Sequence, residues 1–140
     1  MSPTINKEIF SGHYKNLVKI AEFIRKASRE AGFDDATTYQ VETAIDEACT
    51  NIIEHSYGGE GIGNIECAYR VDSKGLTITL EDGGKTFNPN SIEDPDLDAP
   101  LEERKNNGLG LYFIRKLMDE VYFEFNNQLG NKLTLVKHKE

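Results

Sequence analysis

The chain has 140 residues, 38% of them apolar and 29% charged, with seven Phe, six Tyr and no Trp. That is the composition of one globular domain, long enough to bury roughly 70% of its unfolded surface. Sixteen basic against twenty-four acidic residues leave a net charge of −8, which repels a phosphodiester backbone and argues against nucleic acid as a direct partner. No apolar run approaches the ~20 residues of a membrane span, and Lys7 and Glu8 stand where a secretory signal would be apolar. The expected location is therefore cytoplasmic, with no membrane partner. Cys49 and Cys67 fit no metal or disulfide spacing and read as small buried hydrophobes.

Residues 4–10 alternate weakly and suggest a short edge strand before the Ser11-Gly12 break. Leu17, Ile20, Ala21, Ile24 and Ala27 then recur every three or four residues, opposite Lys15, Lys19, Glu22, Lys26 and Arg29, which predicts an amphipathic helix closed by Gly32. Asp34 or Asp35 can cap a second helix that carries Val41, Ala44, Ile45, Ala48 and Ile52 inward and stops at Tyr57-Gly58-Gly59. Residues 63–71 and 76–80 read as strands of a hairpin around Asp72-Ser73-Lys74-Gly75. Residues 88–107 show no periodicity and hold three of the four prolines and six acids, with only Arg104 and Lys105 as bases. A loop of that length inside a compact domain suggests a lid. A third helix opens at Gly108 and runs through Leu111, Phe113, Ile114, Leu117 and Met118, and strands over 121–125 and 133–136 close the chain around a turn at 126–131. Hairpin-joined strands with interspersed helices predict an α+β two-layer sandwich, a mostly antiparallel mixed sheet covered on one face by three helices, in a single domain over 1–140.

Four features could carry chemistry. At ~100° per residue, Glu47 and Asn51 flank the apolar stripe of the second helix about 80–120° from its centre, one turn apart, with His55 on the same line. A carboxylate and an amide oxygen there can face a cleft while a packed helix holds them; a solvated Glu and an incidental Asn fit the same positions. Glu81-Asp82-Gly83-Gly84 ends a strand. Asp82 can cap its own turn, or it can accept a hydrogen bond from an exocyclic amine while the missing side chain of Gly84 lets a flat ring approach. Asn107-Gly108-Leu109-Gly110 opens a helix, where free N–H groups and the dipole suit phosphate. It lacks the third glycine of a dinucleotide fingerprint, since Phe113 stands there. Gly84-Lys85-Thr86 imitates the end of a phosphate-binding P-loop, but that motif's first glycine would fall at Thr79, inside a strand. Finally, Arg104 and Lys105 could reach a terminal phosphate or simply be solvated among acids. His13, His55 and His138 are too scattered for a metal site.

Taken in order, a helical Glu-x-x-x-Asn, a strand-end Asp-x-Gly, a lid and a Gly-x-Gly opening a helix resemble the boxes of the GHKL ATPases (gyrase, heat-shock chaperone, histidine kinase, MutL), whose ATP-binding domain has the Bergerat fold. The wording Asp46-Glu47-Ala48-Cys49-Thr50-Asn51, Glu81-Asp82-Gly83-Gly84 with Phe87, and Asn107-Gly108-Leu109-Gly110-Leu111 through Leu117-Met118-Asp119-Glu120-Val121 is closer to one branch. It is similar to the anti-sigma-factor serine kinases of the RsbW/SpoIIAB type, over nearly the whole chain.

The resemblance implies ATP and Mg²⁺ as cofactors and phosphoryl transfer to a serine of a STAS-type anti-anti-sigma protein, with a sigma factor as second partner and a possible homodimer. It implies that Glu47 is the general base and that Asn51 coordinates Mg²⁺. It further implies that Asp82 reads the adenine amino group, and that Gly84, Asn107, Gly108, Leu109 and Gly110 shape the nucleotide pocket beneath a lid at 88–107. Gly130-Asn131 departs from the Gly-Thr of many relatives, leaving a hydroxyl contact missing or supplied by Thr134. Two alternatives belong to other classes: a non-catalytic ATP-binding partner-switching module, and a structural module that binds no nucleotide.

Overall fold

A computed structural model describes residues 4–85, 106–126 and 130–139. In chain order they form β1 (Ile5–Ser11), a 3-10 turn (Tyr14–Asn16), α1 (Leu17–Glu30), α2 (Asp35–Asn51), a π turn (Ile52–Ser56), β2 (Asn64–Asp72), β3 (Gly75–Asp82), α3 (Asn106–Leu117), β4 (Glu120–Asn126) and β5 (Gly130–His138). The five strands make one sheet in the order β1-β2-β3-β5-β4. All four pairings are antiparallel, so the mixed character expected from the sequence is absent among the described strands. Tight turns account for β2–β3, where Asp72 Oδ1 accepts from the Lys74 and Gly75 amides at 2.8 and 3.1 Å.

Alternation along the strands decides what lies between the layers. Ile65, Cys67 and Tyr69 of β2, Leu76, Ile78 and Leu80 of β3, and Leu133 and Leu135 of β5 are buried on the helix side. Their alternates Glu66, Arg70, Thr77, Thr79, Glu81, Lys132 and Thr134 occupy the other face, which is left uncovered among the described residues. The helices answer with Ile20, Ile24 and Ala27, then Val41, Ala44, Ile45, Ala48 and Cys49, then Ile114, with Met118 just past the end of α3. Each large aliphatic side chain buried this way contributes about 1.5–3 kcal/mol. Both cysteines are free and buried, as expected.

Local chemistry sets the helix ends. Gly32, at φ +80°, lets the chain leave α1, and the Phe33 amide bonds the Ser28 carbonyl at 3.0 Å. Asp34, rather than Asp35, caps α2, its Oδ1 accepting from the Thr37 amide at 2.8 Å. α3 begins at Asn106, two residues before the expected Gly108, and Phe113 is exposed rather than inward because Ile114 takes the buried position beside it. α2 lies between α1 and α3, packed against both.

Candidate functional site

α2 carries Glu47 and Asn51 one turn apart, both partly buried, Asn51 being the last residue of the helix. Burial is the main cause that raises the Glu47 carboxyl above its ordinary 4.5, with the nearby Asp46 and Glu54 carboxylates adding to it. Beyond Asn51 the helix widens: the Tyr57 amide bonds the Ile52 carbonyl at 3.0 Å, five residues back. Such single π turns insert one extra residue into a helix. Here the insertion delivers Ser56, 2% exposed, against the end of β3.

Asp82, the last residue of β3, pairs across the sheet with Ile65 on one side and Asn131 on the other, and it points to the helix side. Its Oδ1 accepts from the Gly84 amide at 2.9 Å and from Asn131 Nδ2 at 3.0 Å. The same Nδ2 reaches the Lys85 carbonyl at 3.0 Å and Ser56 Oγ at 3.4 Å. Burial raises the Asp82 carboxyl above its ordinary 3.8, against hydrogen bonds from Asn131, Gly84 and Ser56 that pull it down. The desolvation outweighs three hydrogen bonds. A buried carboxylate whose second oxygen keeps acceptor capacity is suited to a ligand N–H. Asn131 Oδ1 is buried and has no partner among the described residues.

The loop after β3 is stapled to the π turn. The Lys85 amide bonds the Ser56 carbonyl at 2.7 Å, and the Gly83 amide donates to the Tyr57 hydroxyl at 2.9 Å. That hydroxyl in turn donates to the Asn64 carbonyl at 2.5 Å. A Cβ at Gly84 would stand 2.4 Å from the Ser56 carbonyl oxygen, and one at Gly130 would stand 2.0 Å from that of Asp82. Gly84 is thus required first by close packing of backbone on backbone, a cause independent of any ring lying over it. Asp82 serves as the turn acceptor for Gly84, one of its two anticipated capacities, and it is buried.

The end of α2 and the end of β3 therefore meet, through Ser56, Gly84 and Lys85. Asn107, Gly108, Leu109 and Gly110 fall in the first five residues of α3, the helix packed on α2. Arg104, Lys105 and all of the proposed lid up to residue 105 lie outside the described residues. Thr134 cannot supply the missing hydroxyl. It pairs with Thr79 and Tyr122 three residues from Asn131, and the period of two sets it on the opposite face of the sheet from Asp82. Asn131, placed by the sequence in a turn, is instead a strand residue with its side chain in the site. Its parity with Leu133 and Leu135 was the available signal. Ser56 gave none, because an inserted residue leaves no mark on helical periodicity.

Two concavities lie elsewhere. One of about 340 Å³ includes Gly32, Asp34, Asp119, Lys137 and Lys139, and one of about 300 Å³ includes Arg25, Arg29, Tyr39 and Glu42. Both mix opposite charges, and neither holds a predicted site residue. Among the described residues no three His, Cys, Asp or Glu gather as metal ligands, and no helix is long and apolar enough to cross a membrane.

A family model described as a histidine kinase-like ATPase domain matches residues 10–137. The serine-protein kinase RsbW of Bacillus cereus (strain B4264) is 38% identical over 93 residues, 64% of this chain and 56% of that protein. The protein of the same name from Bacillus mycoides (strain KBAB4) is 37% identical over the same shares. That from Bacillus cereus (strain AH187) is 35% identical over 98 residues, 67% of this chain and 61% of that protein. The chain thus spans somewhat over half the length of the curated relatives it matches.

Proposed function

The chain belongs to the family of histidine kinase-like ATPase domains, and from that premise we propose that it is an ATP-dependent anti-sigma regulatory factor, a serine kinase that phosphorylates a STAS-type anti-anti-sigma protein and sequesters a sigma factor. The relatives named serine-protein kinase support the reaction class. One structural observation supports it most: a buried acid at a strand end, Asp82, clasped to the turn that continues the helix of Glu47 and Asn51.

In this proposal Asp82 accepts from the exocyclic amine of adenine, with Gly84 beside it. The opening N–H groups of α3, at Asn107, Gly108, Leu109 and Gly110, take the phosphates under a lid at 88–107. Asn131 Oδ1, buried and without a partner among the described residues, lies beside Asp82. The amide oxygen of Asn51 is a hard donor of the kind Mg²⁺ accepts, alongside the phosphate oxygens. Bound Mg²⁺ supplies neutralisation of the phosphate charge. Glu47 takes the proton of the attacking serine hydroxyl, and its raised pKa makes it a stronger base than an ordinary glutamate. The setting is cytoplasmic, and a homodimer is compatible with the proposal.

The test is incubation of the protein with Mg-ATP and a candidate STAS-type protein. Phosphoserine on the STAS protein, lost with Glu47→Ala, supports the kinase. Nucleotide-dependent partner binding without transfer would replace it with a non-catalytic switch. Absence of any melting shift at high ATP concentration, where even a weak ligand at 100 times its Kd adds about 2.7 kcal/mol, would leave a module without nucleotide.

A further inference from the structure

Three consecutive amides after β3 each have an acceptor, and two of those acceptors come from the π turn and the tyrosine that ends it. Gly83 donates to the Tyr57 hydroxyl at 2.9 Å, Gly84 to Asp82 Oδ1 at 2.9 Å and Lys85 to the Ser56 carbonyl at 2.7 Å. The β2–β3 ladder ends at the pair Ile65 and Asp82. In that register the next pair is Asn64 and Gly83, and the Tyr57 hydroxyl stands between them, accepting from the Gly83 amide and donating to the Asn64 carbonyl at 2.5 Å. A phenol oxygen thus replaces one rung of the sheet. The ring is seated closely for this: a Cβ on Gly63 would stand 2.3 Å from Tyr57 Cε1 and 2.7 Å from its hydroxyl oxygen, and one on Gly12 would stand 2.7 Å from the Gly63 carbonyl oxygen behind it. Neither glycine has a left-handed φ, so both are required for room alone.

We propose that Tyr57 is a positioning residue for the nucleotide: its hydroxyl, wedged between Asn64 and Gly83, ends the β2–β3 ladder at Asp82 and turns the Gly83–Lys85 segment onto Ser56. This rests on the nucleotide reading above and deepens it. With the oxygen removed, the Gly83 N–H and the Asn64 carbonyl are left to pair directly, which lengthens the ladder by one rung and draws Gly83 toward β2. The segment then leaves Ser56, and Gly84 no longer holds Asp82 Oδ1 in place. Burial raises the Tyr57 phenol above its ordinary 10, so it stays protonated and keeps donating to Asn64 at neutral pH. The half-buried ring gains its packing on Gly63 from carbon atoms, so phenylalanine preserves that packing and isolates the work of the oxygen.

The experiment is a titration of the whole chain with Mg-ATP and with Mg-ADP, well below the melting transition, alongside phosphoryl transfer to the candidate STAS-type protein. Tyr57→Phe should weaken ATP and ADP by a common factor of about fivefold or more, because the turn meets the base and not the terminal phosphate. Transfer at saturating ATP should stay within about twofold of the parent, so that KM and not kcat carries the change. Gly63→Ala keeps the hydroxyl and displaces the ring, and it should reproduce the loss; the double variant should bind no more weakly than the weaker single, since both act through one oxygen. Should Tyr57→Phe fail to fold, Gly63→Ala carries the same test. A Tyr57→Phe protein that melts lower and yet keeps the parent's dissociation constants would make the tyrosine structural only and overturn this proposal, with the nucleotide reading left standing. A loss confined to ATP would place the effect at the phosphates and overturn it equally. A parent protein that binds neither nucleotide would overturn both.

Discussion

Gly84 rests on Ser56 so closely that a single added carbon would lie 2.4 Å from the Ser56 carbonyl oxygen and 2.5 Å from its carbonyl carbon. Both are backbone atoms and cannot rotate away. Gly84→Ala should therefore push the loop off the π turn and break the 2.7 Å bond from the Lys85 amide. We expect a loss of roughly 1–3 kcal/mol in chemical denaturation together with a fall in nucleotide affinity. Gly83→Ala is the control, since nothing lies within 4 Å of a Cβ there.

Asp82→Asn separates binding from stability. Burial raises the Asp82 pKa above 3.8, so its contribution to stability is complete when it is protonated, below that value, and is lost as pH rises through the folded pKa. At pH 7 the ionised group is a net cost to the unliganded fold. The neutral amide should keep or raise the melting temperature at pH 7, with the gain vanishing toward pH 3, while ATP affinity falls by about tenfold or more. A variant that melts well below the parent at pH 7 would contradict the assignment of burial as the dominant cause.

For Glu47 the expected loss is in transfer and not in binding. Glu47→Gln should leave the ATP dissociation constant within a few-fold and slow phosphoryl transfer by roughly 10²–10⁴. Because its pKa is raised by burial, Asp46 and Glu54, the acid limb of kcat/KM in the parent should lie above 4.5. Asp46→Asn, which removes one of the neighbouring charges, should move that limb down in pH. A limb that stays in place would show that Asp46 does not act on the base.

Asp34 offers a check on the scaffold alone. Its carboxylate is held below 3.8 by the Thr37 amide and is exposed. That contribution is present above 3.8 and is lost as pH falls through the folded pKa. Asp34→Ala should lower the melting temperature by roughly a few degrees at pH 7 and by little near pH 2, with nucleotide affinity unchanged.

The layers were legible in the sequence because burial on one face imposes a period, and strand and helix periods differ. Val41, Ala44, Ile45, Ala48 and Ile52 appear in the core where the stripe put them. The hairpin around Asp72 was legible for a different reason, its turn being held by a side chain the sequence displays. What stayed hidden arises from contacts between distant residues. Gly130-Asn131 reads as turn chemistry locally, yet β3 recruits it into a strand through Asp82. The close approach of Gly84 to Ser56 joins residues 28 apart, and no local rule announces it.

A helix that winds one additional residue into its final turn rotates whatever follows by about 100° relative to an unbroken helix. The spacing from Asn51 to Ser56 is therefore a length counted in whole residues, and it sets the end of α2 against Asp82 at the end of β3. Shortening that stretch by one residue would swing the Ser56 hydroxyl and carbonyl away from Asn131 and Lys85 while every residue named in the boxes kept its identity. Two chains could thus share all of those boxes and differ in how Asp82 and Asn131 are held, through a single change of spacing.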